Sequence, residues 1–241
     1  MQTRIPSPSR LASVSSAATA ALALAAGAAV ATGAGALEGS PGAVRVAQRV
    51  LAHVRHIAAV RWIQTGDQWE CPSPDGPIVG PAVTRPARGC RRATVSFDEN
   101  LRHGAIVRSL STMTAGGLVI ESELVSGAGD WVRSRGARCW DAEGAAPGGI
   151  PAFTYTGERL SITARTADVI TLRGIGQGFR ESDAIDAHTF AVREVAERVP
   201  GAGGTATLVS HFADLARPVA LPRTPHRVCP DIVRFPPYRA R

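Results

Sequence analysis

The sequence predicts an α+β fold: a large curved antiparallel sheet, a half-barrel, with an N-terminal amphipathic helix on its concave side. Three observations predict it. One strongly helical stretch, AVRVAQRVLAHVRHIAAV from Ala43, is followed by a change of hydrophobic period from that of a helix to that of a strand. Short alternating segments punctuated by turn residues then run to the end of PVAL at Leu221, with no further helical stretch to make crossovers. Apolar strand faces therefore outnumber the helices available to cover them.

The elements follow in order. MQTRIPSPSR carries Arg4 and Arg10 and no acid, and leads into the Ala/Leu/Val-rich LASVSSAATAALALAAGAAVATGAGA. A basic start, an apolar middle and the small-x-small ending Ala34-Gly35-Ala36 are the three parts of an export signal. Residues 1–36 are expected to be cleaved, leaving 37–241 as a single domain that is secreted or held in the cell envelope. The alternative is a retained anchor, for which this run of Ala, Gly, Ser and Thr is weakly hydrophobic over a span of about 20 residues. No cysteine near the cut offers a lipidation site.

In the helix, Val46, Val50, Val54 and Ile57 share a face with Ala47 and Leu51, while Arg45, Arg49 and His56 lie mostly opposite. Pro41 and Gly42 read as the lead-in turn. VRWIQT (60–65) opens the strands. RRATVSFD (91–98) points Ala93, Val95 and Phe97 one way and Thr94, Ser96 and Asp98 the other. GAIVRSLSTM (104–113) sets Ile106 and Leu110 against Val107 and Ser109. GGLVIESELVSG (116–127) sets Leu118, Ile120 and Leu124 against Glu121 and Glu123. In DWVRSRGARCW, Trp131 and Trp140 bracket a turn whose Arg133, Arg135 and Arg138 face solvent. Residues 141–157 read as an irregular connection. RLSITAR (159–165), DVITLRGI (168–175), HTFAVREVAER (188–198), GTATLVSHF (204–212) and PVAL (218–221) resume the strands, and a proline-rich tail follows from about residue 223.

The four cysteines, Cys71, Cys90, Cys139 and Cys229, all lie beyond the cut, and an even count in an oxidising compartment points to two disulfides. Cys71–Cys90 would close CPSPDGPIVGPAVTRPARGC, a stretch with little else to order it. Cys139–Cys229 would tie the tail to the middle of the chain. No C-x2-C spacing suggests zinc.

Chemistry-bearing motifs are absent: no G-x-S-x-G, no H-E-x-x-H and no glycine-rich phosphate loop. GIGQG (174–178) reads as a turn. His53 and His56 lie three apart on the helix without a third metal ligand in view, and ESDAID (181–186) reads as solvated turn acids rather than a calcium loop. No catalytic residue, metal or cofactor is expected, and the chain does not read as an enzyme. All 27 basic residues are arginine, against 20 acids, for a net charge of +7. They are scattered rather than gathered with aromatics, which argues against nucleic acid. Contact with an anionic membrane surface stays open.

In the order of its elements, residues 43–225 resemble the LolA/LppX-like group of cell-envelope lipid and lipoprotein carriers. The resemblance is carried by DWVRSRGARCW, by ESDAIDAHTFAVREV, and by GTATLVSHFADLARPVALPRTP with Phe212, Asp214, Pro218 and Val219 at the matching positions. It implies a non-enzymatic, monomeric binding protein for a lipid or lipoprotein acyl chain. The apolar strand and turn residues expected to line the cavity are Trp62, Val95, Phe97, Ile106, Leu110, Leu118, Ile120, Trp131, Ile162, Leu172 and Phe190. The residues leave a second reading open: loops and the 141–157 connection fill the interior, and the chain is a structural, sensor or protein-interaction module.

Overall fold

The computed structural model describes residues 37–71, 78–81, 88–144, 150–155, 158–176, 179–201, 204–223, 225 and 228–229. The expected export signal, most of the cysteine-bounded loop and most of the C-terminal tail lie outside the described residues. No described helix is long and apolar enough to cross a membrane.

Helix α1 (Pro41–Val54) begins where local chemistry dictates. Ser40 is extended (φ −65°, ψ 146°) and its Oγ accepts the Ala43 N–H at 3.3 Å, while Pro41 fills the first turn, where its missing N–H costs nothing. Pro41 and Gly42 are thus the helix's first turn, not a lead-in to a helix at Ala43. The helix also stops earlier than its apolar period suggests. The His56 N–H closes a tight turn onto the His53 carbonyl, and Ala59 already belongs to the first long strand.

In chain order the strands are β1 (Glu38–Gly39), β2 (Ala59–Gly66), β3 (Gln68–Cys71), β4 (Ile78–Pro81), β5 (Arg91–Arg102), β6 (Ala105–Ala115), β7 (Leu118–Ser126) and β8 (Gly129–Ser134). They continue with β9 (Asp141–Gly144), β10 (Ile150–Pro151), β11 (Arg159–Arg165), β12 (Val169–Ile175), β13 (Arg180–Asp186), β14 (Val192–Gly201) and β15 (Gly204–Leu215). The sheet runs β1-β11-β12-β13-β14-β15-β2-β5-β6-β7-β8-β9, antiparallel throughout except for the parallel β1–β11 edge pair. Helix α1 packs on β1, β11 and β12. A single buried cluster nevertheless joins its Ala43, Val46, Ala47, Val50 and Val54 to Val95, Met113 and Ile120 at the other end of the sheet. Only a sheet curved around the helix brings those residues together.

Bulges decide which side chains face inward, because one inserted residue reverses the alternation beyond it. Between Asn100↔Arg108 and Leu101↔Ile106, Val107 is the extra residue. Ile106 therefore packs on the concave core, while Leu110 lies on the opposite, outer face, contrary to the uninterrupted alternation. A second bulge between Met113↔Glu121 and Thr114↔Val119 makes Ile120 the extra residue. Ile120 joins the concave core, but Leu124 pairs with Leu110 and Trp131 on the outer face. Glu121 and Glu123 share the face of Met113 and Ser111, the reverse of the expected arrangement.

ESDAID is not a loop. It lies within β13, with Asp183 and Ile185 buried. PVAL is not a strand. β15 ends at Leu215, and the chain then runs over the outer face: Asn100 exchanges two hydrogen bonds with Val219, Nδ2 donating at 3.0 Å and Oδ1 accepting at 2.7 Å. Beyond it Arg108 donates to the Pro222 carbonyl, Val228 bridges Trp140, and Cys229 joins Cys139. The other disulfide is Cys71–Cys90, so the pairing is the one expected, with Cα separations of 4.1 Å and 5.1 Å. Trp140 precedes β9 rather than opening a strand, and exposed Arg133 lies 4.8 Å over its ring.

Leu124 is fully buried yet stands outside the concave cluster, so the outer face has a small core of its own. Leu124→Ala is expected to cost about 3 kcal/mol, comparable to Leu172→Ala on the concave side. Val119→Ala, at an exposed position, should stay within about 0.5 kcal/mol. Denaturant midpoints check all three.

Candidate functional site

The register Phe212↔Trp62↔Phe97 sets three aromatic residues in one row on adjacent strands β15, β2 and β5. Trp62 and Phe97 stack with centroids 3.6 Å apart and planes within 7°, and Phe212 lies 5.5 Å from Trp62. The indole N–H of Trp62 donates to Glu99, the next inward residue of β5. Burial pushes the Glu99 carboxyl up to about 7, the indole hydrogen bond opposing it.

The segment from Ile150 through Tyr155 crosses this concave face towards Glu158. Ile150 and Pro151 pair with Ile106 and Ala105, and the Ala152 N–H donates to the Gly104 carbonyl. The Phe153 ring then meets that of Phe212 at 5.3 Å. Further on, the Tyr155 hydroxyl donates to Asp183 Oδ2 at 2.9 Å. At its end the Glu158 carboxylate sits against Gly174, where a Cβ would fall 1.8 Å from Oε2. Glycine at 174 is what lets this acid lie flat on β12. Residues 150–155 of this connection are thus a strap inside the half-barrel, held by main-chain pairing at Ile150 and Pro151, by the Ala152 N–H and by the Phe153 and Tyr155 side chains.

Around its end four carboxyls converge: Glu158, Glu181, Asp183 and Glu197. Glu181 stands between Gly174 and Glu197 in the ladder, and Asp183 between Leu172 and Val195. No described ion pair reaches any of them, and Glu158 Oε2, Asp183 Oδ1 and Glu197 Oε2 accept no hydrogen bond. Burial raises all four, helped by mutual repulsion at Glu158, Glu181 and Glu197, the last pushed up to about 7. Tyr155 is raised for the same reasons. Glu181 and Asp183 hydrogen-bond each other, which requires a shared proton. The cluster therefore holds protons at neutral pH rather than acting as an array of anions.

The expected lining residues divide between the two faces. Trp62, Val95, Phe97, Ile120 and Leu172 are buried in the concave core, and Ile106, Ile162 and Phe190 pack against it, with Arg49 4.9 Å over the Phe190 ring. Leu110 and Trp131 belong to the outer face, and Leu118 is exposed. Phe153, Tyr155, Phe212 and the carboxyls were not nominated. Alternation in GTATLVSHF places Phe212 on the Leu208 face, and extending the Ala93, Val95, Phe97 pattern reaches Glu99. Nothing periodic marks Phe153, Tyr155 or Glu158. Of the helix histidines, His53 Nε2 meets Asp214 Oδ2 at 2.5 Å, and His56 is exposed. Among the described residues no three His, Cys, Asp or Glu side chains are arranged to hold a metal.

No protein-family model and no curated protein matches the chain. Similar solved structures exist. The crystal structure of MucB in complex with MucA(peri) is 11% identical over 77% of this chain, with a TM-score of 0.39; the chain spans 62% of that one, less than two thirds of its length. The crystal structure of the LolA superfamily protein NE2245 from Nitrosomonas europaea is 11% identical over 73% of this chain and 94% of that chain, with a TM-score of 0.31.

Proposed function

We propose that the protein is an exported, non-enzymatic, monomeric binding protein that takes an apolar ligand, such as a lipid or lipoprotein acyl chain, against its concave face. The observation that carries the reading is the aromatic row Phe212–Trp62–Phe97, covered at Phe212 by Phe153 of the crossing strap. An acyl chain that displaces Phe153 finds an apolar wall, and each methylene removed from water contributes about 0.8 kcal/mol. Two disulfides suit an oxidising, extracytoplasmic compartment. The cleaved export signal and the single domain over 37–241 belong to the same proposal.

A second reading is favoured by the strap itself. If Phe153 and Tyr155 stay seated, the interior is filled by the chain's own residues, and the protein is an interaction or sensor module. Native mass spectrometry of protein purified from its own host decides between them. Co-purified lipid, and uptake of a fluorescent fatty acid that quenches Trp62, are expected. A ligand-free spectrum without probe uptake would leave the interaction module standing.

A further inference from the structure

The outer face of the sheet carries a row that the concave-face reading does not use: Arg159, Ile175, Arg180, Arg198 and Thr207, paired in turn across β11 to β15. Arg180 and Arg198 are direct cross-strand neighbours and both are exposed. Like charges directly opposite each other destabilise a sheet. Neither has a carboxylate partner among the described ion pairs. The next outward row, Ser161, Arg173, Ser182 and Ala196, adds a further arginine and no acid. Glu181 and Glu197, the sequence neighbours of Arg180 and Arg198, point to the other face. The nearby acids are engaged: Asp67 Oδ2 accepts the Thr207 N–H at 3.1 Å, and Glu194 meets His211 at 3.3 Å.

The two guanidiniums line an open groove of about 640 Å³ together with Ile175, Phe179, Pro200 and Thr205. Ile175 is 45% exposed, a large apolar side chain left in solvent beside unpaired charge. A guanidinium pair grips a phosphate through paired N–H donors, and the adjoining Ile, Phe and Pro suit the apolar region just beneath a headgroup. We propose that this groove docks the protein on a membrane surface by holding the phosphate of an anionic phospholipid between Arg180 and Arg198. The assignment localises the membrane contact that the arginine excess leaves open, and it is independent of any ligand in the concave face.

The test is co-sedimentation of the full chain with phosphatidylcholine vesicles, with and without phosphatidylglycerol, at low salt. Binding to the phosphatidylglycerol vesicles alone is expected. The double substitution R180Q/R198Q should weaken it about 30-fold, whereas R133Q/R135Q, exposed at the end of β8 and in the turn after it, should leave it within about threefold of wild type. The R180Q/R198Q protein should melt at or above the wild-type temperature, since two opposed charges are gone, so weaker binding cannot be laid to misfolding. Equal loss in both double variants would assign binding to overall charge and overturn the groove. Release from vesicles by inorganic phosphate at matched phosphate concentration would overturn it in favour of a free anion.

Discussion

Raising the pH from about 5 to about 8 is expected to destabilise the protein, the reverse of what salt-bridged carboxylates produce. Glu99 sets the sign. Its carboxyl is buried beside Trp62 and titrates near 7 in the folded chain, against an ordinary value of 4.5. Folding thus favours the protonated form. The stability it contributes is fully present below about 4.5 and is lost as pH climbs through about 7. For Glu99 alone the loss is on the order of 3 kcal/mol. Glu197 moves in the same window, and Glu158, Glu181 and Asp183 are shifted in the same direction. Asp186 behaves oppositely. Hydrogen bonds from the Thr189 and His188 backbone, with Arg193 beside it, hold it well below the usual carboxylate range. Its contribution is present above its ordinary 3.8 and fades only as the pH falls into strong acid. Melting temperatures across the window check the prediction. Glu99→Gln keeps an acceptor for the indole and should flatten the slope; a wild-type curve that is level or rising would sink the assignment.

Removing the Cys139–Cys229 bridge as a serine pair should cost about 4.6 kcal/mol, the loop-closure entropy of a ring of this size. The bridge spans 90 residues, against 19 for Cys71–Cys90, whose removal should cost nearer 3 kcal/mol by the same argument. The larger loss carries a structural signature. Without the bridge, the chain beyond Leu215 keeps the Asn100–Val219 pair, the Arg108–Pro222 contact and the hydrogen bond from the Cys229 N–H to the Trp140 carbonyl as described polar anchors. Trypsin should then cut early at Arg223, since Pro218 protects the bond after Arg217, and denaturant midpoints should fall. A serine pair with the wild-type midpoint and cleavage pattern would show that the chain beyond Leu215 is held without the sulfurs.

The long elements were legible because their signals are local. The apolar face of Val46, Val50 and Val54 marks the helix, although Ser40 and Pro41 start it two residues before the Ala43 that the periodicity picks out. RLSITAR coincides with β11, and the alternation of RRATVSFD continues inward to Glu99. ESDAID misled because three acids in six residues resemble a solvated turn. Its neighbours in space, Tyr155, Glu158 and Glu197, are far along the chain, and they make that strand a buried, protonated one. The candidate site was legible only where strands supply it: Trp62, Val95 and Phe97 follow from alternation, whereas Phe153 and Tyr155 sit in a connection without periodicity.

By itself the sequence determined the class of fold, the presence of helix α1 and the pairing of the four cysteines, from periodicity, spacing and composition. Which face each side chain takes was decided by tertiary structure. The extra residues Val107 and Ile120 are bulges only against the partner strands they fail to match, and each reverses everything beyond it: Leu110 and Leu124 go outward, Glu121 and Glu123 inward. The opposed pair Arg180 and Arg198 exists for the same reason. Register between strands is a property of the pair, set by burial on both sides, and one chain segment read alone does not contain it.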